Sequence, residues 1–434
     1  MSEKVSVFWF RRDLRLDDNV GFLEALKSDF PVLPIFIFDT EILEKLPKDD
    51  ARVSFIHENL QKMRKELQEN GSSLAIYQGK PSQVFKDLLK NYKIQQVFTN
   101  RDYEPYSKER DSEIEKLLQS ENVPFHTFKD QVIFEKDEVV KKDGDPYVVY
   151  TPYMRIWKAE FKNIDLKIQA TSPYLNNLVK NSSLPNLSLA ELGFETSKIK
   201  IPDYEVTPGL IQEYEAKRNY PALDATSHLG PHLRFGTVGI RTMIKKAISE
   251  KNEIFWNELI WREFFMQILY HFPQIENESF KKKYDRIPWR NNEAEFELWK
   301  TGKTGYPLVD AGMRQLNETG FMHNRVRMLV GSFLCKHLLI DWRWGEAYFA
   351  EKLLDYEMAS NVGNWQWVAG CGVDAAPYFR IFNPTTQIKD YDKEHLYIKK
   401  YVKEFDTDDY PEMMVDHKEA QERALRVYKE AVSE

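Results

Sequence analysis

Short apolar runs alternate with helix-patterned stretches between residues 5 and 128. The runs at residues 5–10 (VSVFWF) and 32–38 (VLPIFIF) are typical of buried strands, and shorter runs at residues 73–77, 95–99 and 125–128 predict three more. Residues 18–26, 52–68, 81–92 and 106–121 have helical spacing of apolar positions. Strands that alternate with helices predict a doubly wound parallel sheet, which binds ligands beyond the carboxyl ends of its strands.

The turn after the first predicted strand, FRRDLRLDDN at residues 10–19, is rich in charge. It is either a solvated turn whose arginines and aspartates pair with each other or a segment that faces a ligand. It lacks the Gly-x-Gly-x-x-Gly pattern of dinucleotide-binding sheets, and no Walker sequence occurs anywhere in the chain. The sequence therefore does not indicate either of these nucleotide sites.

Periodicity fades between residues 131 and 208, where six prolines occur and only residues 153–161 have helical spacing. From residue 209 onward the pattern is that of long amphipathic helices, without strand-like runs. We therefore predict an α/β domain at residues 1–130, an interdomain connector at 131–208 and a helical domain at 209–434.

Composition narrows the class of protein. The 434 residues carry a net charge of −7, which argues against coating nucleic acid through bulk charge but allows a local basic groove. Two cysteines, Cys335 and Cys371, are too few for a disulfide framework or a cysteine zinc site. The first residues, MSEKVSV, do not have the pattern of a signal peptide, and no apolar run approaches the roughly 20 residues of a membrane span. We expect a cytoplasmic protein.

The stretch at residues 355–384 has the most unusual chemistry. It combines the acids Asp355 and Glu357 with Asn361, two tryptophans (Trp365 and Trp367) and a run of small residues. A buried helix repeats aliphatic residues, whereas this stretch offers hydrogen-bonding groups, flat aromatic faces and glycines that admit close approach. It predicts one wall of a site for a large, flat, partly polar ligand.

The loop at residues 226–236, TSHLGPHLRFG, places hydroxyl groups and backbone donors just before a predicted helix. Such loops bind anionic groups. Capping of the helix by Thr or Ser is the alternative.

Two helical segments carry further candidates. In WNELIWREFF, residues 256–265, Glu258, Trp261 and Arg262 share one helix face, where an internal Glu258–Arg262 pair on a solvated face is the alternative. In MHNRVRMLVG, residues 322–331, core packing explains Met328 but does not explain the polar residues around it.

These motifs together resemble the photolyase and cryptochrome family. FRRDLRLDDN, TSHLGPHLRFG, WNELIWREFF, TGYPLVDAGMRQL, MHNRVRM, DWRWGE and NWQW…DAAPYFRIFNP correspond in order over nearly the whole chain. The resemblance implies an N-terminal α/β antenna domain and a C-terminal helical domain that holds FAD in a U shape. It assigns ten residues to the FAD site: Tyr214, Thr226, Ser227, Leu229, Arg262, Asn324, Arg327, Asp355, Glu357 and Asn361.

The branch within the family depends on a few positions. Glu258, Trp261, Met328 and Trp367 match the repair enzymes for cyclobutane pyrimidine dimers, in which the dimer leaves the duplex and enters a pocket beside the flavin. DNA contact is expected at a local basic rim, with Arg218 and Arg325 as candidates because arginine holds phosphates, and a solvated face is the alternative for Arg218. The alternative is a cryptochrome-like blue-light photoreceptor that binds FAD without repairing DNA.

The implied chemistry is light-driven electron transfer from reduced FAD to the dimer, with Glu258 contacting the pyrimidine and Asn361 facing the flavin. Trp365, Trp342 and Trp289 match the tryptophans that carry electrons to oxidised flavin, and ordinary core packing is the alternative for all three. The expected partner is DNA that contains pyrimidine dimers, with no membrane contact, and the protein is expected to be a monomer.

A second, antenna chromophore is less defined. Tyr106 and Ser107 stand where folate-using relatives have an Asn-Glu pair. A deazaflavin, a folate, another flavin and no antenna at all therefore remain open.

Overall fold

A computed structural model describes residues 3–433, and the chain forms two compact units that are each discontinuous in sequence. The α/β unit comprises the residues up to Glu138, Phe161–Val206 and His228–Ser249. The helical unit comprises Val139–Glu160, Thr207–Ser227 and the residues from Glu250 onward. The linear boundaries expected at residues 130 and 208 stay a prediction.

The sheet of the α/β unit confirms the predicted parallel architecture. Its strands are Lys4–Phe10 (β1), Val32–Phe38 (β2), Ala75–Gln78 (β3), Lys93–Asn100 (β4) and Phe125–Phe128 (β5). Their order is β3-β2-β1-β4-β5, and all the pairings are parallel. In the central strand, Val7 lies opposite Leu33 on one side and Val97 on the other.

Both faces of the sheet are covered, which explains why the central strands are continuously apolar. Along β1, Phe8 and Phe10 belong to one buried cluster, whereas Val7 and Trp9 belong to a second cluster on the opposite face. The first cluster also includes Phe194 from the predicted connector. Residues 161–206 thus contribute side chains to the core of this unit.

The helices surround the sheet in one unit and form nearly all of the other. In the described residues they are Val20–Leu26 (α1), Thr40–Leu43 (α2), Ala51–Glu69 (α3), Pro81–Asn91 (α4), Pro105–Ser120 (α5), Tyr150–Phe161 (α6), Pro208–Lys217 (α7), Leu229–Arg234 (α8), Ile240–Ile248 (α9), Glu253–His271 (α10), Glu293–Lys300 (α11), Pro307–Thr319 (α12), Asn324–Ser332 (α13), Trp342–Lys352 (α14), Met358–Ala369 (α15), Pro384–Tyr391 (α16), Leu396–Tyr401 (α17) and His417–Ser433 (α18). A π-helical turn, Phe333–His337, follows α13. Between residues 3 and 433, no helix is both long and apolar enough to cross a bilayer.

The charged turn after β1 is a buried network. Arg15 pairs with Asp130 at 2.6 Å, and Arg241 bridges Asp18 and Asp130, at 2.7 Å to each. Asp18 and Asp130 are almost fully buried. The interpretation as a solvated turn is therefore wrong, because the partners of these charges come from distant segments of the same unit.

The loop expected at residues 226–236 contains a short helix, α8. His228 precedes it with a left-handed backbone, φ 50°. Pro231 lies in the first turn of α8, where a missing backbone N–H breaks no intrahelical hydrogen bond. The Gly-Pro pair, which favours a loop by composition, is thus compatible with a helix start.

Within the helical unit, α6 is bound to α10 by polar contacts in an apolar setting. The indole N–H of Trp157 donates to the Glu263 carboxylate, and both side chains are buried. Gln267 Nε2 donates to the Val139 carbonyl at 2.7 Å. The segment 139–160 therefore packs as part of the helical unit, although it precedes the rest of that unit in sequence.

The C-terminal helix α18 is connected to the π-helical turn by a pair of histidines. His337 Nε2 and His417 Nδ1 lie 2.8 Å apart, and the His337 ring stacks on Phe333 at 4.6 Å. Burial, and to a lesser degree the nearby His417 and Arg423, lowers the pKa of His337 to about 3. His337 is therefore neutral at physiological pH.

This histidine is expected to make the protein sensitive to acid. Between pH 6.5 and about pH 3 the unfolded chain binds a proton at His337 that the folded chain does not, so the free energy of unfolding falls as the pH falls. The slope for one such group is at most about 1.4 kcal/mol per pH unit. Urea unfolding at pH 7 and pH 5 should show a smaller loss for His337→Phe than for the parent protein. An equal loss in both would contradict this role for His337.

Candidate functional site

The helical unit contains a cleft bounded by α13, α14, α15 and the segment that joins α14 to α15. Eight of the predicted site residues line it: Asn324, Arg327, Met328, Asp355, Glu357, Asn361, Trp365 and Trp367. The other lining residues are Gly331, Phe349, Leu353, Tyr356, Ser360, Asn364 and Val368.

Arg327 and Asp355 form a two-pronged ion pair across the cleft. Arg327 Nη2 lies 2.9 Å from Asp355 Oδ2 and Nη1 lies 3.2 Å from Oδ1, while Nε donates to the Met322 carbonyl at 2.6 Å. Bidentate pairs of this kind fix the plane of the guanidinium as well as its position. The pair therefore presents a rigid, charge-balanced edge to the cleft.

A second ion pair connects α10 to the start of α15. Arg262 Nε lies 3.2 Å from Glu357 Oε2, and the carboxylate is nearly buried. Glu357 is also the residue that immediately precedes α15, where a negative charge is favoured by the helix dipole. Both carboxylates at the cleft are thus neutralised by arginines, so the lining can accept a large ligand without a net negative field.

Asn361 is oriented by a residue that the sequence did not single out. Its Nδ2 donates to Glu346 Oε1 at 2.9 Å and to the Glu346 carbonyl at 3.1 Å. Burial raises the pKa of the Glu346 carboxyl, and the hydrogen bond from Asn361 opposes that rise. Glu346 lies in the DWRWGE motif on α14, but no spacing pattern distinguishes it from a surface glutamate.

Trp365 lies deep in an aromatic cluster at the back of the cleft. Its ring centroid is 4.9 Å from that of Phe349 and 6.2 Å from that of Trp299, in edge-to-face arrangements. Gly345 of α14 packs directly against the ring, with no room for a side chain. Trp299 is a second residue that sequence reasoning missed.

The other two predicted electron carriers differ in exposure. Trp342 is buried, and its Nε1 has no hydrogen-bond partner within residues 3–433. Trp289 is half-buried and packs edge-to-face on Tyr428 of α18 at 5.9 Å. A route through Trp365, Trp342 and Trp289 stays a prediction.

The candidate residues for DNA contact have partners within the helical unit. Glu258 forms an ion pair with Arg218, both half-exposed, and Arg218 also lies over the Tyr214 ring at 5.4 Å. Arg262 of the same face pairs with Glu357, as described above. The alternative of an internal Glu258–Arg262 pair is therefore wrong, because each residue pairs with a residue outside α10.

Arg325 and Trp261 are held by a polar side chain and by aromatic rings. Arg325 Nη2 donates to Asn219 Oδ1 at 2.6 Å, and its guanidinium lies over the Tyr391 ring at 4.5 Å. Trp261 is half-buried and stacks on the ring of Tyr150. Met328 and Trp367 line the cleft itself.

The predicted phosphate-binding residues are divided between the two units. Tyr214, Thr226 and Ser227 belong to the helical unit, and Tyr214 packs edge-to-face on Phe255 at 5.3 Å. Leu229 begins α8 and belongs to the α/β unit. Their roles stay predictions.

Comparison with known proteins agrees with this architecture. Residues 6–173 match the family described as DNA photolyase, and residues 255–407, which include every residue that lines the cleft, match the FAD binding domain of DNA photolyase. A deoxyribodipyrimidine photo-lyase from Synechococcus sp. is 36% identical, over 92% of this chain and 87% of the relative.

Two solved structures extend the comparison. A bacterial class III photolyase from Agrobacterium tumefaciens is 33% identical with a TM-score of 0.88, covering 100% of this chain and 99% of the other. An archaeal photolyase from Sulfolobus tokodaii, solved with two FAD molecules, is 33% identical with a TM-score of 0.83, covering 98% and 100%. With this identity over nearly its whole length, the chain belongs to the DNA photolyase family and carries the family's FAD-binding domain.

Proposed function

We propose that the protein is a light-dependent DNA repair enzyme that splits cyclobutane pyrimidine dimers, with reduced FAD as the electron donor. The observation that carries this proposal is the cleft in the FAD-binding segment, which combines two neutralised carboxylates with Met328 and Trp367. Relatives that match the chain over most of its length include several deoxyribodipyrimidine photo-lyases. The monomeric state and the cytoplasmic location stay predictions.

In this proposal, Arg262, Asn324, Arg327, Asp355, Glu357 and Asn361 hold the flavin and its ribose and diphosphate. The lining fits such a group, because it is polar at one edge, aromatic at the back and balanced in charge. The flavin, once reduced, supplies an electron to the dimer on illumination. Glu346 fixes the Asn361 amide with Nδ2 directed to α14, so that the amide keeps one orientation.

The residues that receive the damaged base form a second group. Trp261 and Trp367 provide flat apolar surfaces, Met328 provides a polarizable contact, and Glu258 provides an acceptor for the pyrimidine edge. A dimer that already weakens its duplex is extruded at a lower cost than an intact base pair. Arg218 and Arg325 contact the DNA phosphates, which explains how an acidic protein can bind DNA.

The α/β unit is the proposed place of an antenna chromophore. Tyr106 Oη donates to Asp39 Oδ2 at 2.5 Å, and Ser107 is buried, so neither stands free as the Asn-Glu pair of a folate site. The archaeal relative contains a second FAD. A flavin or deazaflavin is therefore favoured over a folate.

The proposal is tested by illuminating the protein, with its flavin fully reduced, in the presence of an oligonucleotide that contains one cyclobutane thymine dimer. We expect the dimer to disappear in the light and to persist in the dark, as measured by chromatography of the oligonucleotide. An oligonucleotide with a (6-4) photoproduct serves as the specificity control. Unchanged dimer under light, with the flavin still reduced, would favour the photoreceptor alternative.

A further inference from the structure

Trp261, the proposed aromatic wall of the dimer site, has one face covered by Tyr150. The ring centroids of the two residues lie 3.6 Å apart with an interplanar angle of 8°. Phe264 and Phe265 pack around the same indole at 5.6 Å and 5.5 Å. The dimer can therefore contact Trp261 only on its remaining surface.

Tyr150 is itself fixed at two points. Its hydroxyl donates to the Asn257 carbonyl at 2.8 Å, one turn before Trp261 on α10. Its backbone N–H, the first of α6, donates to Asp374 Oδ2 at 3.2 Å. A carboxylate at a helix N-terminus satisfies a free N–H and is favoured by the helix dipole.

The backbone at Asp374 has an unusual conformation, which directs its side chain to the start of α6. Asp374 lies in the segment after α15 and has a left-handed conformation, φ 44°. The tyrosine is thus connected by hydrogen bonds to α10 and to the segment that leaves α15. Helices α10 and α15 both carry residues of the proposed site.

The burial of Tyr150 indicates that its side chain stays on Trp261 and does not move away when DNA binds. Tyr150 is 7% exposed. Burial, with a smaller contribution from Glu258, raises the pKa of Tyr150, so the hydroxyl stays protonated and keeps donating its hydrogen bond. To leave the Trp261 face when DNA binds, the Tyr150 side chain would have to break its hydroxyl hydrogen bond and the ring stack.

We propose that Tyr150 is a positioning residue of the dimer site: it holds the indole of Trp261 in one plane, so that the ring is already oriented when the dimer arrives. This inference rests on the proposed role of Trp261 in dimer binding. An aromatic wall that is fixed beforehand binds more tightly, because no side-chain freedom is lost on binding. Without Tyr150 the half-buried indole can rotate away from the dimer.

The test compares Tyr150→Leu with Tyr150→Phe. We expect Tyr150→Leu to weaken binding of a dimer-containing oligonucleotide about tenfold, the scale of one lost base–aromatic stack. Tyr150→Phe keeps the stack but loses the hydroxyl hydrogen bond to the Asn257 carbonyl, so we expect a smaller loss of about threefold. Binding of the same oligonucleotide without a dimer should change in neither variant. Repair per absorbed photon in the saturated complex should change less than affinity.

Tyr153→Leu is the matched control, since it removes a buried tyrosine ring from the same helix. Tyr153 packs on Phe264 at 5.2 Å and lies one turn further along α6. We expect it to lower thermal stability as Tyr150→Leu does, but to leave dimer affinity within about twofold. Equal losses of dimer affinity in the two leucine variants would overturn the inference, because they would show only general destabilisation.

Two further variants separate the possible failures. Asp374→Ala removes an exposed anchor, so it should fold, and we expect it to weaken dimer binding about threefold through the loss of one hydrogen bond to Tyr150. Trp261→Ala tests the underlying assignment: unchanged dimer affinity there would remove the proposed role of Trp261. If Trp261→Ala weakens dimer binding while Tyr150→Leu and Asp374→Ala do not, the positioning role of Tyr150 alone is wrong.

Discussion

Replacing Gly345 by alanine is expected to lower the free energy of unfolding by about 2–3 kcal/mol and to displace the indole of Trp365. A Cβ at this position would overlap the Trp365 ring and come within 2.6 Å of Leu334 Cδ2. Both neighbours are buried, and Trp365 packs against the rings of Phe349 and Trp299, so a shift of either neighbour disturbs the packing around it. Because Trp365 lines the cleft, we also expect the purified variant to hold less flavin.

The measurements are urea unfolding and the flavin-to-protein absorbance ratio after purification. Gly209→Ala is the matched control, since Gly209 lies near the start of helix α7 and, in the described part of the chain, no heavy atom outside the adjoining residues and the backbone of its own helix lies within 4 Å of the added Cβ. That variant should be neutral or slightly more stable, because alanine favours the helix. If Gly345→Ala retained full stability and flavin, Trp365 would not be confined as described.

Replacing Glu258 by alanine should reduce discrimination between damaged and undamaged DNA roughly 10- to 100-fold, the scale of a hydrogen bond to a charged group. The carboxylate is half-exposed and paired with Arg218. Its loss removes the proposed acceptor for the pyrimidine edge, and it also leaves Arg218, a proposed phosphate contact, without the carboxylate that offsets its charge. We therefore expect weaker binding of the dimer but slightly tighter binding of undamaged DNA, with a steeper salt dependence.

Affinities for both oligonucleotides at several salt concentrations test this expectation. Glu253→Ala is the charge control: Glu253 lies on the same helix, and its exposed carboxylate pairs with Lys158, so the variant makes the same change in net charge. It should leave discrimination unchanged. A parallel loss of affinity for both DNAs in Glu258→Ala would instead assign Glu258 a purely structural role.

The α/β fold was predictable because each strand is marked by an apolar run at its own position in the sequence. The apolar runs at residues 32–38 and 125–128 coincide with β2 and β5, and the first strand differs from its prediction by one residue. A strand covered on both faces must be continuously apolar, so its limits are marked where polar residues begin. Strand β3 is less well predicted: Ser73 and Leu74 are buried but precede the ladder, which begins at Ala75.

The cleft was predictable only in part. Motifs supplied Asp355, Asn361 and the tryptophans, because their residue types are unusual for a helical core. They could not supply Glu346 or Tyr150, whose roles depend on contacts with residues 15 and roughly 110 positions away. Such contacts leave no periodic trace, since either residue would look the same on an exposed surface.

The sequence discontinuity of the helical unit affects how the protein folds during synthesis. Helix α6 carries buried aromatic residues, Tyr153 and Trp157, but the residues that cover them lie on α10, which ends at His271, 110 residues after Phe161. At a translation rate of about 5–20 residues per second, these apolar side chains wait roughly 5–20 s for their partners. The ribosome-bound chain therefore exposes an aggregation-prone amphipathic helix throughout that interval. Chaperone binding during this time is expected to determine the yield of the folded protein.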